Sequence, residues 1–341
     1  MDTLYIGADV AAQTLSVCVL CAGGWHRLEL CENTATGLEC LQKTLTARFP
    51  DYVPAQYHLC LEPTGGYEQP LSLFAHEKGW QVSLPNPKHV RDWAKGLGQR
   101  AKTDRIDARL LARYAAERKP VLWHPTSAEV SQLDSLLERK RDLEQMLQQE
   151  RNRKQQGAYR PQQAEAVTAS VAGVLSHLEQ ALQEIEQAIA AHLKQHPTLS
   201  QQVRQLQTVP GVGRKNVLPL VVTLSRFAAL TQGTGTAKAL TAYAGLDPTT
   251  HESGTSVRGP GGISRLGNRR LRQQLYMGAL GGKRGRNALR AFYERLVGRG
   301  KAKKVALVAA AHKILTWAWA VFCTQTDFDA NKVSMKPATA S

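Results

Sequence analysis

Between Ser127 and His196 the chain turns to Gln, Glu, Lys and Leu, and its apolar residues fall at heptad-like steps. One series is Leu133, Leu136, Leu143 and Leu147; the other runs through Val167, Val171, Val174, Leu178, Leu182, Ile185 and Ile189. A repeat near 3.5 residues cannot be laid out on strands, so this segment predicts long helices, each with one apolar seam. Gly157 to Pro161 interrupts the pattern and makes a helical hairpin, able to close within the chain or on a second copy. A helical spacer in the middle of 341 residues leaves room for one domain on each side. The expected boundaries are 1–126, the spacer 127–200, a basic domain 201–326 and a disordered tail 327–341.

The formal net charge is +16, while hydrophobic residues make up 43% and charged residues 21%. Ordinary globular composition with so large an excess of cations points to a polyanionic partner, nucleic acid before an anionic membrane. The excess is uneven. From Arg258 to Lys304 fourteen lysines and arginines face a single acid, Glu294. A merely solvated surface mixes signs, so this stretch is read as the phosphate-facing part. The longest apolar run, Val305 to Cys323, carries His312 and Lys313 in its middle and reads as a buried helix. With Asp2 after the start and no signal-like segment, a cytoplasmic protein with no membrane span is expected. Its six cysteines are then expected to be reduced, and the lone Cys18-x-x-Cys21 pair lacks the other two ligands of a zinc site.

Leu4 to Val10 and Leu15 to Leu20 alternate across a polar break, which predicts a strand hairpin; Trp25 to Leu30 is a third strand candidate. A helix follows with Leu38, Leu41 and Leu45 on one face, then a short apolar strand, Tyr57 to Leu61. Gln69 to Lys78 reads as a helix, Gln81 to Leu84 as a strand, and Lys88 onward as more helix. Three strands followed by alternating helices and strands define an α/β sheet with an antiparallel start, the order of an RNase H-like domain. Beyond the spacer, Val209-Pro210-Gly211-Val212-Gly213 before an apolar run resembles the turn of a helix-hairpin-helix motif, whose N–H groups can hold a phosphate. Glycine-rich loop and arginine-bearing helices follow, giving a mainly α-helical C-terminal domain.

Asp9 and Glu62 each close a buried-looking strand, where Val or Thr would be the structural choice. Asp104 and Asp107 open a helix three residues apart, hence on one face. Each acid alone has a plain role as cap, turn or ion-pair partner. Together they form a like-charged cluster that is costly without cations, and their hard oxygens suit Mg²⁺ or Mn²⁺. Two such ions about 4 Å apart activate a nucleophile and stabilise the leaving oxygen in phosphodiester attack.

Gly7-Ala8-Asp9-Val10, Leu61-Glu62-Pro63-Thr64-Gly65-Gly66-Tyr67, Asn86-Pro87-Lys88 and Lys102 to Ala108 resemble, in order, the motifs of the DEDD transposases of the insertion sequence 110 family. Pro210 to Gly213, Ala242 to Leu246, Ser253-Gly254, Gly267 to Arg272 and Ala291-Phe292-Tyr293 are similar to that family's C-terminal domain. The resemblance implies a RuvC-like metal-binding tetrad of Asp9, Glu62, Asp104 and Asp107. It implies a catalytic serine at Ser253 that forms a transient phosphoserine link to DNA, with Ser256 three residues on in the same loop. It also implies double-stranded DNA of element ends and target as substrate, a bridge RNA as guide, and assembly into dimers or tetramers. Candidate nucleic-acid contacts are Lys102, Arg105, Arg214, Lys215, Arg258, Arg265, Arg269, Arg270 and Arg272. Two other readings stand beside transposition: a junction-cleaving RuvC-like nuclease that uses water, and a site-specific invertase with the same chemistry.

Overall fold

In the computed structural model the first strand is flanked on both sides, and that position decides the rest of the N-terminal half. The structure describes residues 3–28, 30–98, 104–249, 252–253, 257–258 and 262–331, without the side chains of 104–106, 252–253 and 257–258. These fall into two compact units, Met1–Pro125 and Thr126–Ser341.

The first unit is built on a six-stranded sheet. β1 (Leu4–Val10), β2 (Thr14–Cys21) and β3 (Gly24–Arg27) form an antiparallel meander, and β4 (Cys31–Glu32) also pairs with β2. After α1 (Ala35–Arg48) comes β5 (Tyr57–Leu61), parallel to β1 on its other side. α2 (Gln69–Glu77) then crosses to β6 (Gln81–Ser83), parallel to β5, giving the order β3-β2-β1-β5-β6. α3 (Pro87–Gly96) and α4 (Asp104–Arg118) complete the unit. The third strand ends at Arg27, earlier than the alternation suggested, although the Leu28 N–H still donates to Val17.

Alternation along β1 sorts its side chains between two layers. Leu4, Ile6, Ala8 and Val10 pack with Leu38, Leu41 and Leu45 of α1 and Leu71 and Ala75 of α2. Each fully buried leucine contributes about 1.5–3 kcal/mol, so this layer is the main anchor of the sheet. The opposite face carries Tyr5, Gly7 and Asp9, and there Cys60 of β5 packs with Val90 of α3 and Leu111, Tyr114 and Ala115 of α4. Gly7 is where α4 crosses: a Cβ there would lie 1.9 Å from the Ala108 carbonyl oxygen and 2.4 Å from the Ala112 nitrogen. Only a residue without a side chain lets the helix backbone rest on the strand.

The second unit begins with α5 (Ala128–Gly157) and α6 (Glu165–Gln195). Lys140 pairs with Glu186 at 2.7 Å and Arg151 with Glu179 at 3.0 Å, so the helices run antiparallel within the chain. Leu143, Leu147, Leu175 and Leu178 form the seam between them. The seam carries the energy, since exposed ion pairs contribute about 0–1 kcal/mol each. α7 (Pro197–Gln207) and α8 (Val217–Leu230) flank the Pro-Gly turn that the sequence compares with a helix-hairpin-helix motif, and α9 (Ala237–Ala244) follows. Two small ribbons come next: β7 (Pro248–Thr249) with β10 (Gly262–Ile263), and β8 (Glu252–Ser253) with β9 (Val257–Arg258). α10 (Arg269–Gly282), α11 (Ala288–Gly298) and α12 (Lys303–Thr324) close the fold. α12 is apolar and long enough to cross a membrane, but Leu307, Ala310, Ile314, Leu315 and Ala318 are buried in the core shared with α8. Of the tail expected to be disordered, residues 327–331 are described: the Phe328 N–H donates to Thr208 Oγ1 and its ring packs on Trp317, while 332–341 lie outside the described residues.

If the close crossing at Gly7 holds the first unit together, Gly7→Ala forces the backbones apart and costs about 1–3 kcal/mol. Urea unfolding measures this, and an unchanged midpoint would refute the contact.

Candidate active site and basic surface

The last paired residues of β1 and β5 are Ala8 and Leu61, so Asp9 and Glu62 are the next step on two adjacent parallel strands. Tyr5 pairs with His58 and Gly7 with Cys60, so continued alternation puts both acids on the face covered by α4. Ligands in sheets of this kind gather at the carboxyl ends of parallel strands, and that is where the two acids stand. α4 starts at Asp104, and the half-buried Asp107 directly precedes the Ala108 carbonyl that rests on Gly7. The helix therefore brings its N-terminal turn toward the same edge. The Asp104 side chain lies outside the described residues. Among the described residues, no three His, Cys, Asp or Glu side chains are grouped closely enough to hold a metal ion.

The loops behind both acids are fixed by residues that sequence reasoning did not single out. The carboxylate of the buried Glu68 accepts from the Thr64 N–H at 3.0 Å, the Gly66 N–H at 2.8 Å and the Thr64 hydroxyl at 3.2 Å. Burial alone would push its pKa up; the backbone and hydroxyl hydrogen bonds outweigh that and hold it below the usual value. Gly65 and Gly66 have φ of 80° and 118°, which side-chain-bearing residues rarely adopt, and this lets the loop fold back onto Glu68. Asn33 Nδ2 donates to Ala11 O at 3.2 Å and to Tyr67 O at 2.9 Å, tying the segment after Asp9 to the segment after Glu62. The Gly-Gly followed by an acid was the available signal for Glu68; for Asn33 there was none. Behind Glu62, burial and then the Glu62 charge push the Cys60 thiol up to about 12, so it is an inert thiol. On the β2 side, a cleft of about 310 Å³ is lined by Cys18, Trp25 and Arg109, whose guanidinium lies 4.5 Å from the Trp25 ring centre. Burial pushes the Cys18 thiol up, against the opposing pull of Arg109, so Cys18 offers no ready thiolate.

In the second unit Ser253 sits in β8, paired with Val257 of β9. Its side chain, and Ser256 altogether, lie outside the described residues, as do Lys102 and the side chains of Arg105 and Arg258. The base of this ribbon is well fixed. The Ser264 hydroxyl donates to the Asp247 carboxylate, and the Ser264 N–H donates to Asp247 O at 3.0 Å. A Cβ on Gly267 would lie 2.1 Å from Tyr243 O, so the returning strand presses on the end of α9. Arg272 is half-buried and its Nη1 donates to Ala244 O at 3.1 Å and Gly267 O at 2.7 Å, clamping the two segments that lead into and out of the ribbon. Burial, then the neighbouring Arg265 and Arg269 charges, hold its pKa below the ordinary arginine value. Arg265, Arg269 and Arg270 are exposed, as are Arg214 and Lys215 after the Pro-Gly turn. Of the expected nucleic-acid contacts, these five stand free to meet phosphate, whereas Arg272 is engaged with the protein's own backbone.

An α/β sheet with acids at one strand edge, followed by a helical unit with exposed arginines, is the outline of an enzyme that works on nucleic acid. Comparison with known proteins gives the class its identity. Residues 6–156 match the DEDD transposase family of IS110-type elements, and residues 203–294 match the Transposase IS116/IS110/IS902 family. Pilin gene-inverting proteins of Moraxella lacunata and Moraxella bovis are each 31% identical over 334 residues, 96% of this chain and 98% of theirs. An IS110 insertion-element protein of Streptomyces coelicolor is 33% identical over 165 residues, 48% of this chain and 38% of its own. The chain belongs to the IS110 family of transposases, and it is a DNA recombination enzyme.

Arg272→Met keeps the stem but removes both donors, and should cost about 1–3 kcal/mol of stability. Arg269→Met, at an exposed site, should stay within about 0.5 kcal/mol of the parent. Thermal melts of the two variants compare them directly, and equal losses would contradict the clamp.

Proposed function

We propose that the chain cleaves and exchanges DNA strands between an element and its target under the direction of a bridge RNA, through a DEDD metal site and a serine nucleophile. The observation that carries this reading is the placement of Asp9 and Glu62 one step past the last pairing of two parallel strands, on the face that α4 crosses. The strand order β3-β2-β1-β5-β6, with an antiparallel meander and two parallel additions, supports an RNase H-like, RuvC-like domain over 1–126. A spacer over 127–200 and a basic domain over 201–326 follow.

Asp9, Glu62, Asp104 and Asp107 would hold Mg²⁺ or Mn²⁺, to which four carboxylates and no softer donor are suited. Bound there, the ions supply charge neutralisation at the phosphate and at the leaving oxygen. The Ser253 hydroxyl attacks the phosphorus and loses its proton; one P–O bond to the sugar breaks, and the leaving oxygen gains a proton as a free hydroxyl. A hydroxyl of the partner strand then attacks the phosphoserine, restoring the serine and joining the strands. One diester replaces another at each step, so no external energy source is required. The chain acts as a homo-oligomer, a dimer or tetramer, in the cytoplasm.

Site-specific inversion is the second reading, favoured by relatives named for inverting a pilin gene that align over nearly the whole chain. It uses the same residues and differs only in the arrangement of the DNA sites. A junction nuclease using water is the third.

Asp104→Asn should abolish strand joining while the melting temperature stays near the parent's, because one lost ligand weakens metal binding. Ser253→Ala should abolish both joining and the covalent protein–DNA adduct seen on denaturing gels. Retained cleavage in Ser253→Ala would instead identify the water-using nuclease. RNA should co-purify from cells carrying the whole element and dissociate at high salt through counterion uptake. A preparation free of RNA from such cells would remove the guide from the proposal.

A further inference from the structure

The Pro-Gly turn between α7 and α8 lies against α10, and the reason is again the absence of side chains. A Cβ on Gly278 would lie 2.4 Å from Gly211 O, and one on Gly282 would lie 2.9 Å from Gly211 Cα. Beside this contact opens a cleft of about 710 Å³. Its walls come from three elements far apart in sequence: the turn supplies Arg214 and Lys215, α10 supplies Arg270 and Gln273, and α5 supplies Arg141. No Asp or Glu is among the lining residues. Arg141 has Asp142 at 3.5 Å and feels the charge of Asp134, while its Nε is buried without a hydrogen-bond partner. Two of the turn's amides are spent internally, Val212 N–H on Val209 O at 2.9 Å and Gly213 N–H on Asn216 Oδ1. What faces an occupant is therefore a set of cationic side chains with a neutral amide beside them.

We infer that this cleft grips the sugar–phosphate backbone of a nucleic acid independently of base sequence, with Arg141 of α5 as part of the grip. Four cations on three elements, with no acid between them, repel one another unless anions come in. A single small anion would satisfy one or two of them; a chain of phosphates satisfies all, and the open setting suits a strand that enters and leaves. The glutamine adds a donor and acceptor for sugar or phosphate oxygen without reading a base. The long helix that sequence made a spacer thus contributes to binding, which ties the nucleic acid to the helical hairpin. This deepens the nucleic-acid partner of the proposed function, but it concerns binding and not strand chemistry.

The test is a salt titration of binding by the full chain, using a 20-base-pair duplex DNA of arbitrary sequence, the same sequence as duplex RNA, and single-stranded DNA. Arg141→Gln, Lys215→Gln and Arg270→Gln should each lower the slope of log Kd against log salt by about 0.9, and the triple variant should bind about tenfold more weakly or worse. Arg160→Gln and Lys194→Gln, outside the cleft, serve as controls. Arg141→Lys and Arg270→Lys should restore the slope if charge is what matters, and they separate that effect from misfolding. Loss on any of the three probes supports the inference, and the probe most affected names the strand held. Parental slopes on all three probes, or equal losses in the controls, overturn it. Binding is read without strand joining, so failure of the serine chemistry and failure of the cleft remain distinguishable.

Discussion

The backbone of α4 lies directly on β1 at Gly7, and the acidic edge of the sheet depends on that contact. A helix normally stands off a sheet by the thickness of its side chains, about 10 Å from axis to sheet. Removing the side chain at one strand position lets the helix approach, and its first turn then reaches the carboxyl edge where Asp9 and Glu62 stand. Acids gathered there repel, so the gathering has to be held from behind. The α1 and α2 leucines fix the far face of the sheet, Glu68 folds the loop after β5, and Asn33 ties that loop to the segment after β1. None of these residues carries the chemistry, yet each limits where a carboxylate can go.

The second unit uses the same device twice. Gly211 against Gly278 and Gly282 sets the Pro-Gly turn on α10, and Gly245 against Gly267 sets the return from the Ser253 ribbon on the end of α9. In both places backbone meets backbone, and an arginine-bearing segment is left facing out. The unit therefore combines a rigid base with an exposed cationic surface. The Arg272 clamp on Ala244 and Gly267 fixes the root of the ribbon.

Much of the architecture was legible because its signals are local. Strand alternation from Leu4 to Leu20, the leucine face of α1, the two long helices and the Pro-Gly turn appear where their periods placed them, but Val167 and Val174 of the second heptad series are exposed and Leu175, outside it, joins the seam. The strand-end acids were legible for a different reason: a charged residue at the end of an apolar strand is out of place unless it has a task. Asn33 and Arg141 were not legible. What they meet lies on loops or helices brought near only by folding, and their types are common on any surface. Arg272 looked like one more cation in a basic run, and only its half-buried place between two carbonyls distinguishes it from Arg269 and Arg270.

The sequence by itself determined which segments are strands and helices, that the chain is strongly basic in its C-terminal third, and which family's motifs it carries in order. Those properties depend on residue type and spacing along the chain. The tertiary structure alone decided which face of the sheet Asp9 and Glu62 share with α4, and that α5 turns a cation into the cleft beside Gly211. The difference is physical: period and charge are written residue by residue, but which elements touch is settled by where backbones can approach, and a glycine reveals that only once its neighbour is known.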